Sequence, residues 1–241
     1  MACRKNISSL HLAHNKHTAN CKPIRIAVPN EVILPMDMQS GSNAIPIVNV
    51  GDHVYVGQLI AKEGERFSSP VHATISGVVK EISPLKRTGG KEVLAIHIES
   101  DGKMEKDPSL KAPVITDADS FLNAVRESGC VGLGGAAFPT WGKLNEMRNK
   151  EYTVDTVLVN AAECEPYITS DHRMMVDHPD LIVKGVDYLR TYLKEYLNNA
   201  TFMICIEKNK PDAILAMKEA FASQSDVVIK ELKTIYPQGA K

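Results

Sequence analysis

Along the first hundred residues, apolar and polar positions alternate in short runs. In "IVNVGDHVYVGQLIAKEG" (47–64) the runs are broken at Gly51-Asp52 and at Gly57. "SSPVHATISGVVKEI" (68–82) repeats the style with Ser76-Gly77 as its turn, and "EVLAIHIES" alternates from Val93 to Ile98. Successive side chains of a strand point to opposite faces, so short alternating runs punctuated by glycine predict a small barrel or sandwich. After the polar stretch "SDGKMEKDPSLKAP" (100–113) the period changes. "TDADSFLNAVRESG" (116–129) predicts a helix that Thr116 can cap and Gly129 can end, with Asp119 in its first turn. "DTVLVN" (155–160) reads as a buried strand. "HPDLIVKGVDYLRTYLKEYLNN" (178–199) reads as a long amphipathic helix, with Pro179 in its first turn and Leu181, Ile182, Val186, Leu189, Leu193 and Leu197 on one stripe. A strand (201–207), a helix (210–223) and a strand (226–233) follow. Strands alternating with helices predict a mostly parallel α/β layer. The expected organisation is an arm over 1–25, a β domain over 26–105 and an α/β layer over 116–241: a two-domain α+β chain.

Composition narrows the function classes. The formal net charge is -1, from 28 Lys plus Arg against 29 Asp plus Glu, so there is no basic excess of the kind nucleic acid selects. No apolar run approaches the ~20 residues that span a bilayer, and the start "MACRKNISSL" lacks the apolar core of a signal peptide. The expected location is cytoplasmic. The five cysteines, at 3, 21, 130, 164 and 205, form no CxxC pair. That spacing fits reduced thiols better than zinc or iron–sulfur ligation.

Two stretches carry candidate chemistry. "VGLGGAAFPTWGKL" (131–144) gives up side chains at Gly132, Gly134 and Gly135 and then places Phe138 and Lys143. Glycines let a backbone approach a planar ring or a phosphate and turn N–H groups toward it, and a lysine can supply the point charge. "NAAECEPY" (160–167) begins where a predicted strand ends. In α/β layers that is where ligands sit, so Asn160, Glu163 and Glu165 should line a crevice. Asn160 offers a donor and an acceptor to a heterocycle edge. A tight helix–loop–helix connection with two surface acids fits the same spacing.

The phrases "VGDHVYVGQLIA" and "SPVHATISGVV" resemble the barrel-sandwich domains that carry biotin or lipoate. Lys62 is available between them, but "KEGERFS" lacks the methionine-flanked lysine of a carrier, and a structural version of the fold is expected. "GLGGAAFPTWGKL" followed by "VLVNAAECEPYITSDHRMM" resembles the RnfC family, part of the Rnf-type ion-translocating ferredoxin:NAD oxidoreductases. That family shares its flavin core with the NADH-binding subunit of respiratory complex I. The resemblance runs over nearly the whole chain, and "IYPQGAK" resembles a segment near the middle of a full-length member. It implies a barrel-sandwich hybrid domain followed by a Rossmann-like FMN-binding layer, here truncated. It implies that FMN is held by Gly132, Gly134, Gly135, Lys143 and Asn160. Glu163 and Glu165 would border the flavin and nicotinamide, and Phe138 would stack on the dinucleotide. It further implies hydride exchange between NAD(H) and FMN, single electrons passed through 4Fe-4S clusters, ferredoxin as an indirect partner, and other subunits of a membrane complex on whose cytoplasmic side the protein would sit.

The chain departs from these families in places. Leu133 and Ala162 stand where complex I relatives have an arginine and an acid. "SSLHLAHNK" keeps only His11 and Lys16 of the Rnf N-terminal segment. Family members continue into a cysteine-rich module, so the clusters are expected outside this sequence and FMN is expected to bind this chain weakly or not at all. His11, His14, His17 and Cys21 imitate metal spacing, but no metal is expected there. Cys164 reads as a small packed residue, His72 and His97 as structural, and Asp171 with Arg173 as a helix-start charge pattern. The alternatives are a non-catalytic docking module and a flavoprotein of the cobalamin-reductase type.

Overall fold

The computed structural model describes residues 12–133, 135–149, 151 and 153–238. Contacts divide the chain into two compact units, one of residues 26–150 and one of residues 1–25 with 151–241. The sequence boundary at 101–115 precedes the first helix, whereas the contacts group that helix with the β unit.

In the β unit, β1 (Glu31–Pro35), β6 (Gly77–Lys86) and β7 (Glu92–Ser100) form an antiparallel sheet with the two-residue β3 (His53–Val54), in the order β1-β7-β6-β3. A second sheet joins β2 (Ile45–Pro46), β4 (Leu59–Lys62) and β5 (Val71–His72) in the order β2-β4-β5. Met36, Val54, Ile60, Val79, Ile96 and Ile98 are buried in one core. In "EVLAIHIES" Val93, Ile96 and Ile98 join this core while Leu94 and Glu99 are exposed, and the strict alternation breaks where Ala95 and Ile96 are both buried. Gly77 lies at φ +156°, and a Cβ there would come within 1.9 Å of the Glu99 carbonyl oxygen. Only glycine admits that approach.

Helix α1 (Ala118–Glu127) closes against this unit through Arg126, which grips the Glu63 carboxylate with Nε at 2.8 and 2.7 Å. Its N-cap is Asp117 rather than Thr116. The Asp117 carboxylate accepts from Ser120 N, and Ser120 Oγ in turn accepts from Asp117 N, which completes a capping box that Thr116 cannot make. Gly129, at φ +70°, follows the helix end as expected. The short α2 (Thr140–Asn145) comes next.

The other unit is a three-stranded parallel sheet in the order β10-β9-β8, from β8 (Val154–Ala161), β9 (Leu197–Glu207) and β10 (Val227–Leu232). Helices α3 (Ser170–Asp177), α4 (Pro179–Tyr192) and α5 (Pro211–Ala220) bury Met175, Val186, Ala213 and Met217 against Phe202, Ile204 and Ile206 of the central strand. His172 Nε2 meets Asp212 Oδ1 at 2.7 Å and ties α3 to α5. Two expectations are corrected. β8 is an edge strand, not a buried one, and Leu158 is 66% exposed. The amphipathic helix stops at Tyr192: Leu193 is its buried C-cap, a 3-10 turn covers Lys194–Tyr196, and Leu197 opens β9.

Candidate functional site

Both motifs sit on loops held by main-chain bonds, one in each unit. In the β unit the glycine loop is pinched at its base. Gly132 N donates to Phe138 O at 3.0 Å, Thr140 N donates to Cys130 O at 3.0 Å, and Val131 and Pro139 form an isolated bridge. Ser40 N donates to Ala137 O at 3.0 Å, and Ser40 Oγ donates to Ala136 O. Ala137 adopts φ +51°, so the loop turns through left-handed backbone even at a residue with a Cβ. Leu133 is 93% exposed at the tip. Gly134 lies outside the described residues, and a Cβ at Gly135 would meet open space.

Gly132 is the informative glycine. A Cβ there would lie 2.9 Å from Lys143 Nζ, so the ammonium of α2 sits over the bare α-carbon of the loop. Lys143 is exposed, and among the described residues it has no hydrogen bond or ion pair. Phe138 packs at 5.5 Å, tilted, on Phe67, which in turn lies 5.7 Å from Trp141. Gly142 is bare because a Cβ would come within 3.1 Å of the Phe138 ring. Trp141 is fixed by its indole N–H to Ser68 O at 3.1 Å and by the Arg126 guanidinium 4.9 Å above it. The Phe138 ring is thus already engaged on one side.

In the α/β unit, Asn160 lies near the end of β8 and its Oδ1 accepts from Ala162 N at 3.3 Å. The chain then turns through Glu163 (φ +50°) and Tyr167 (φ +67°). Glu163 points inward: its side chain is 2% exposed, and Oε1 accepts from Asp171 N at 2.6 Å and His172 N at 3.3 Å. Thr169, the N-cap of α3, makes no side-chain cap bond, so Glu163 supplies one from eight residues away. A carboxylate is well placed at a helix start, where free N–H groups carry partial positive charge. Glu165 is exposed, and its Oε1 accepts from the Tyr236 hydroxyl at 3.1 Å, which pushes the Tyr236 phenol above its usual range. Cys164 between the two acids is buried.

Two lysines organise this loop, and sequence reasoning missed the part that each plays. Lys210, 2% exposed, donates to Ala162 O at 2.8 Å, to Glu207 Oε2 at 2.9 Å and to Asn209 Oδ1 at 3.2 Å. Lys16 reaches the same loop from the N-terminal arm and lies 3.7 Å from Glu163 Oε2. Burial lowers the Lys16 pKa, with the Glu163 charge opposing. A signal for Lys210 exists: it stands between the end of β9 and the Pro211 that opens α5, the same strand-to-helix position that made the β8 loop a candidate. The tempting His14, His17 and Cys21 do not converge. Among the described residues no three such side chains could hold a metal ion, and His11 lies outside them.

The comparisons with known proteins bear on these loops. Residues 7–103 match the RnfC barrel sandwich hybrid domain, and residues 125–241 match the Nuo51 FMN-binding domain. The chain is 40% identical over 230 residues, 94% of its length, to a subunit of the proton-translocating ferredoxin:NAD(+) oxidoreductase complex of Clostridium ljungdahlii. It is 41% identical over 217 residues, 88% of its length, to the corresponding subunit of the Na(+)-translocating complex of Acetobacterium woodii. The chain belongs to the RnfC family. A further relative, from the ion-translocating oxidoreductase complex of Pasteurella multocida, is 34% identical over 96% of this RnfC chain. The chain spans 49%, 47% and 27% of those three relatives. Its fold follows the RnfC order, barrel-sandwich hybrid first and the parallel α/β layer second. Among the described residues no helix is long and apolar enough to cross a membrane.

Proposed function

We propose that this chain is the flavin-binding part of an electron-transfer subunit in a membrane-associated ferredoxin:NAD oxidoreductase. It would sit on the cytoplasmic side and contact other subunits of the complex, with ferredoxin an indirect partner. The observation that carries the reading is the pairing of Gly132 with Lys143 inside the stretch matched by the FMN-binding domain. A bare α-carbon beneath an exposed ammonium leaves room for an anion, and the charge to hold one, so the residues fit a phosphate. The same family match takes in Asn160, Glu163 and Glu165.

In this reading Gly132, Gly134 and Gly135 let the backbone approach FMN, Lys143 holds its phosphate, and Asn160 addresses the ring edge. Glu165 presents its carboxylate, held by Tyr236, to the flavin and nicotinamide face. Glu163 borders that face through the loop it shapes. Phe138 offers its remaining side to a dinucleotide. When bound, FMN supplies the exchange between a two-electron hydride donor, NADH, and one-electron acceptors. The 4Fe-4S clusters that serve as acceptors are assigned to the part of the relatives that this chain does not span, since its own cysteines are too dispersed to ligate them.

FMN affinity for this chain alone is expected to be weak, because cofactor sites usually bury ~70–90% of their ligand and the chain spans about half the length of the first two relatives. Fluorescence titration with FMN and with riboflavin tests the reading. FMN should bind more tightly than riboflavin, which lacks the phosphate, and Lys143→Ala should weaken FMN by about tenfold or more while leaving riboflavin unchanged; a charge-assisted hydrogen bond is worth about 1.5–3 kcal/mol. Equal affinity for the two flavins, insensitive to Lys143, would exclude this phosphate site.

A further inference from the structure

The N-terminal arm has no part in the flavin assignment above, yet its contacts fall along the length of the acid-bearing loop. His14 O accepts from Tyr167 N at 2.9 Å. Lys16 Nζ donates to Glu163 O at 2.8 Å, Glu165 O at 2.8 Å and Ile168 O at 2.5 Å. Thr18 Oγ1 and Thr169 Oγ1 share a hydrogen bond at 2.7 Å, and Arg173 Nη1 donates to Ala19 O at 3.2 Å. We propose that residues 13–19 are a strap that fixes the shape of the 162–169 loop, and that Lys16 is the positioning residue through which the strap sets Glu163 and Glu165 for the flavin.

Lys16 suits the task by its capacity. An ammonium has three protons, and three loop carbonyls take them. Those carbonyls come from residues on both sides of Pro166, so a single side chain fixes the spacing of the turn. The loop needs such a restraint. Glu163 and Tyr167 both hold left-handed backbone, which residues with a Cβ keep only where the surroundings over-determine it. Lys210 anchors the start of the loop at the Ala162 carbonyl, but it cannot replace Lys16, whose acceptors reach on to Ile168. The partners are 147 to 152 residues apart in sequence, so the arm closes a long-range clasp rather than a local turn. A loop shaped before its ligand arrives binds more tightly, because the ordering cost is already met.

The role given to Lys16 rests on the flavin reading; the strap itself does not. Lys16→Met keeps the length of the side chain and removes its protons. Thr18→Val removes a separate tie and serves as the second variant. Hydrogen exchange of the wild-type and variant chains without flavin reads the strap; FMN titration and the visible difference spectrum of bound flavin read the positioning. Lys16→Met should speed exchange across 162–170 by about tenfold or more and leave β6–β7 peptides unchanged, since restraints on a surface loop contribute to local rather than global opening. Thr18→Val should speed the same peptides less. Lys16→Met should also weaken FMN and alter the spectrum of the flavin that still binds. Unchanged exchange at 162–170 in both variants overturns the strap. Faster exchange with unaltered affinity and spectrum overturns the positioning role. Absence of FMN binding by the wild-type chain overturns the flavin reading and the positioning role with it, while exchange still decides the strap.

Discussion

Lys210→Met is expected to be the most damaging single substitution in the α/β unit, costing about 3–5 kcal/mol. Lys210 is 2% exposed and Glu207 is fully buried, and the two meet at 2.9 Å. A buried pair contributes little relative to a pair of apolar side chains, because desolvation of two charges offsets most of their attraction. Removing one partner is another matter: it strands the second as an unpaired charge. Glu207 already has one carboxylate oxygen, Oε1, without a hydrogen-bond partner among the described residues, so it has no second donor to fall back on. The Ala162 carbonyl would lose the same ammonium. Urea denaturation followed by circular dichroism should show the midpoint of Lys210→Met falling steeply. The double variant Lys210→Met, Glu207→Met should recover most of the loss, because no charge is then left stranded. A double variant as unstable as the single one would show that packing, not charge pairing, dominates at this position.

Gly132→Val is expected to do the opposite, sparing the fold while abolishing most FMN affinity. The new Cβ would arrive 2.9 Å from Lys143 Nζ, and nothing else comes closer than 3.8 Å. The ammonium is the free end of a flexible, exposed side chain, so it can swing away at small cost to stability. Moving it removes the charge proposed to hold the phosphate and puts a branched side chain where the backbone should approach the ligand. The expected result is an FMN dissociation constant raised by about tenfold or more, which is ~1.4 kcal/mol or more of binding free energy, with a thermal midpoint close to wild type. A marked drop in thermal midpoint would instead assign Gly132 to folding.

The architecture was legible in the sequence where one local period dominates. The short apolar run in "EVLAIHIES" marked β7, although adjacent Ala95 and Ile96 are both buried and the strand is not strictly one-sided. The two-residue strands β2, β3 and β5 were not separable, since two residues carry no period. The end of α4 was missed for a definite reason: Leu193 and Leu197 continue the helical stripe, and "YLKEYLNN" contains neither glycine nor proline to stop it. The edge position of β8 was invisible because strand order depends on which neighbours pair, not on the strand's own residues. Thr116 and Asp117 are both good caps, and only the reciprocal bond with Ser120 separates them.

Candidate site residues stood out in the sequence only where their signal was local. The glycines, Lys143, Asn160 and the two acids lie in two short stretches with recognisable chemistry. That Glu163 turns inward to cap α3 depends on the fold, as does the convergence of Lys16 and Lys210 on carbonyls 147 and 48 residues away. A lysine that binds main-chain oxygen leaves no motif, because any residue can supply the acceptor.

The central claim, that the glycine loop and Lys143 hold the phosphate of FMN, is tested most directly by amide chemical-shift mapping of the 241-residue chain during titration with FMN. The method registers weak binding and assigns it residue by residue. The account predicts concentration-dependent shifts in 131–136 that are larger with FMN than with riboflavin, with the β6–β7 turn at 87–91 unmoved. An unmoved 131–136 segment, or equal shifts with the two flavins, would contradict it.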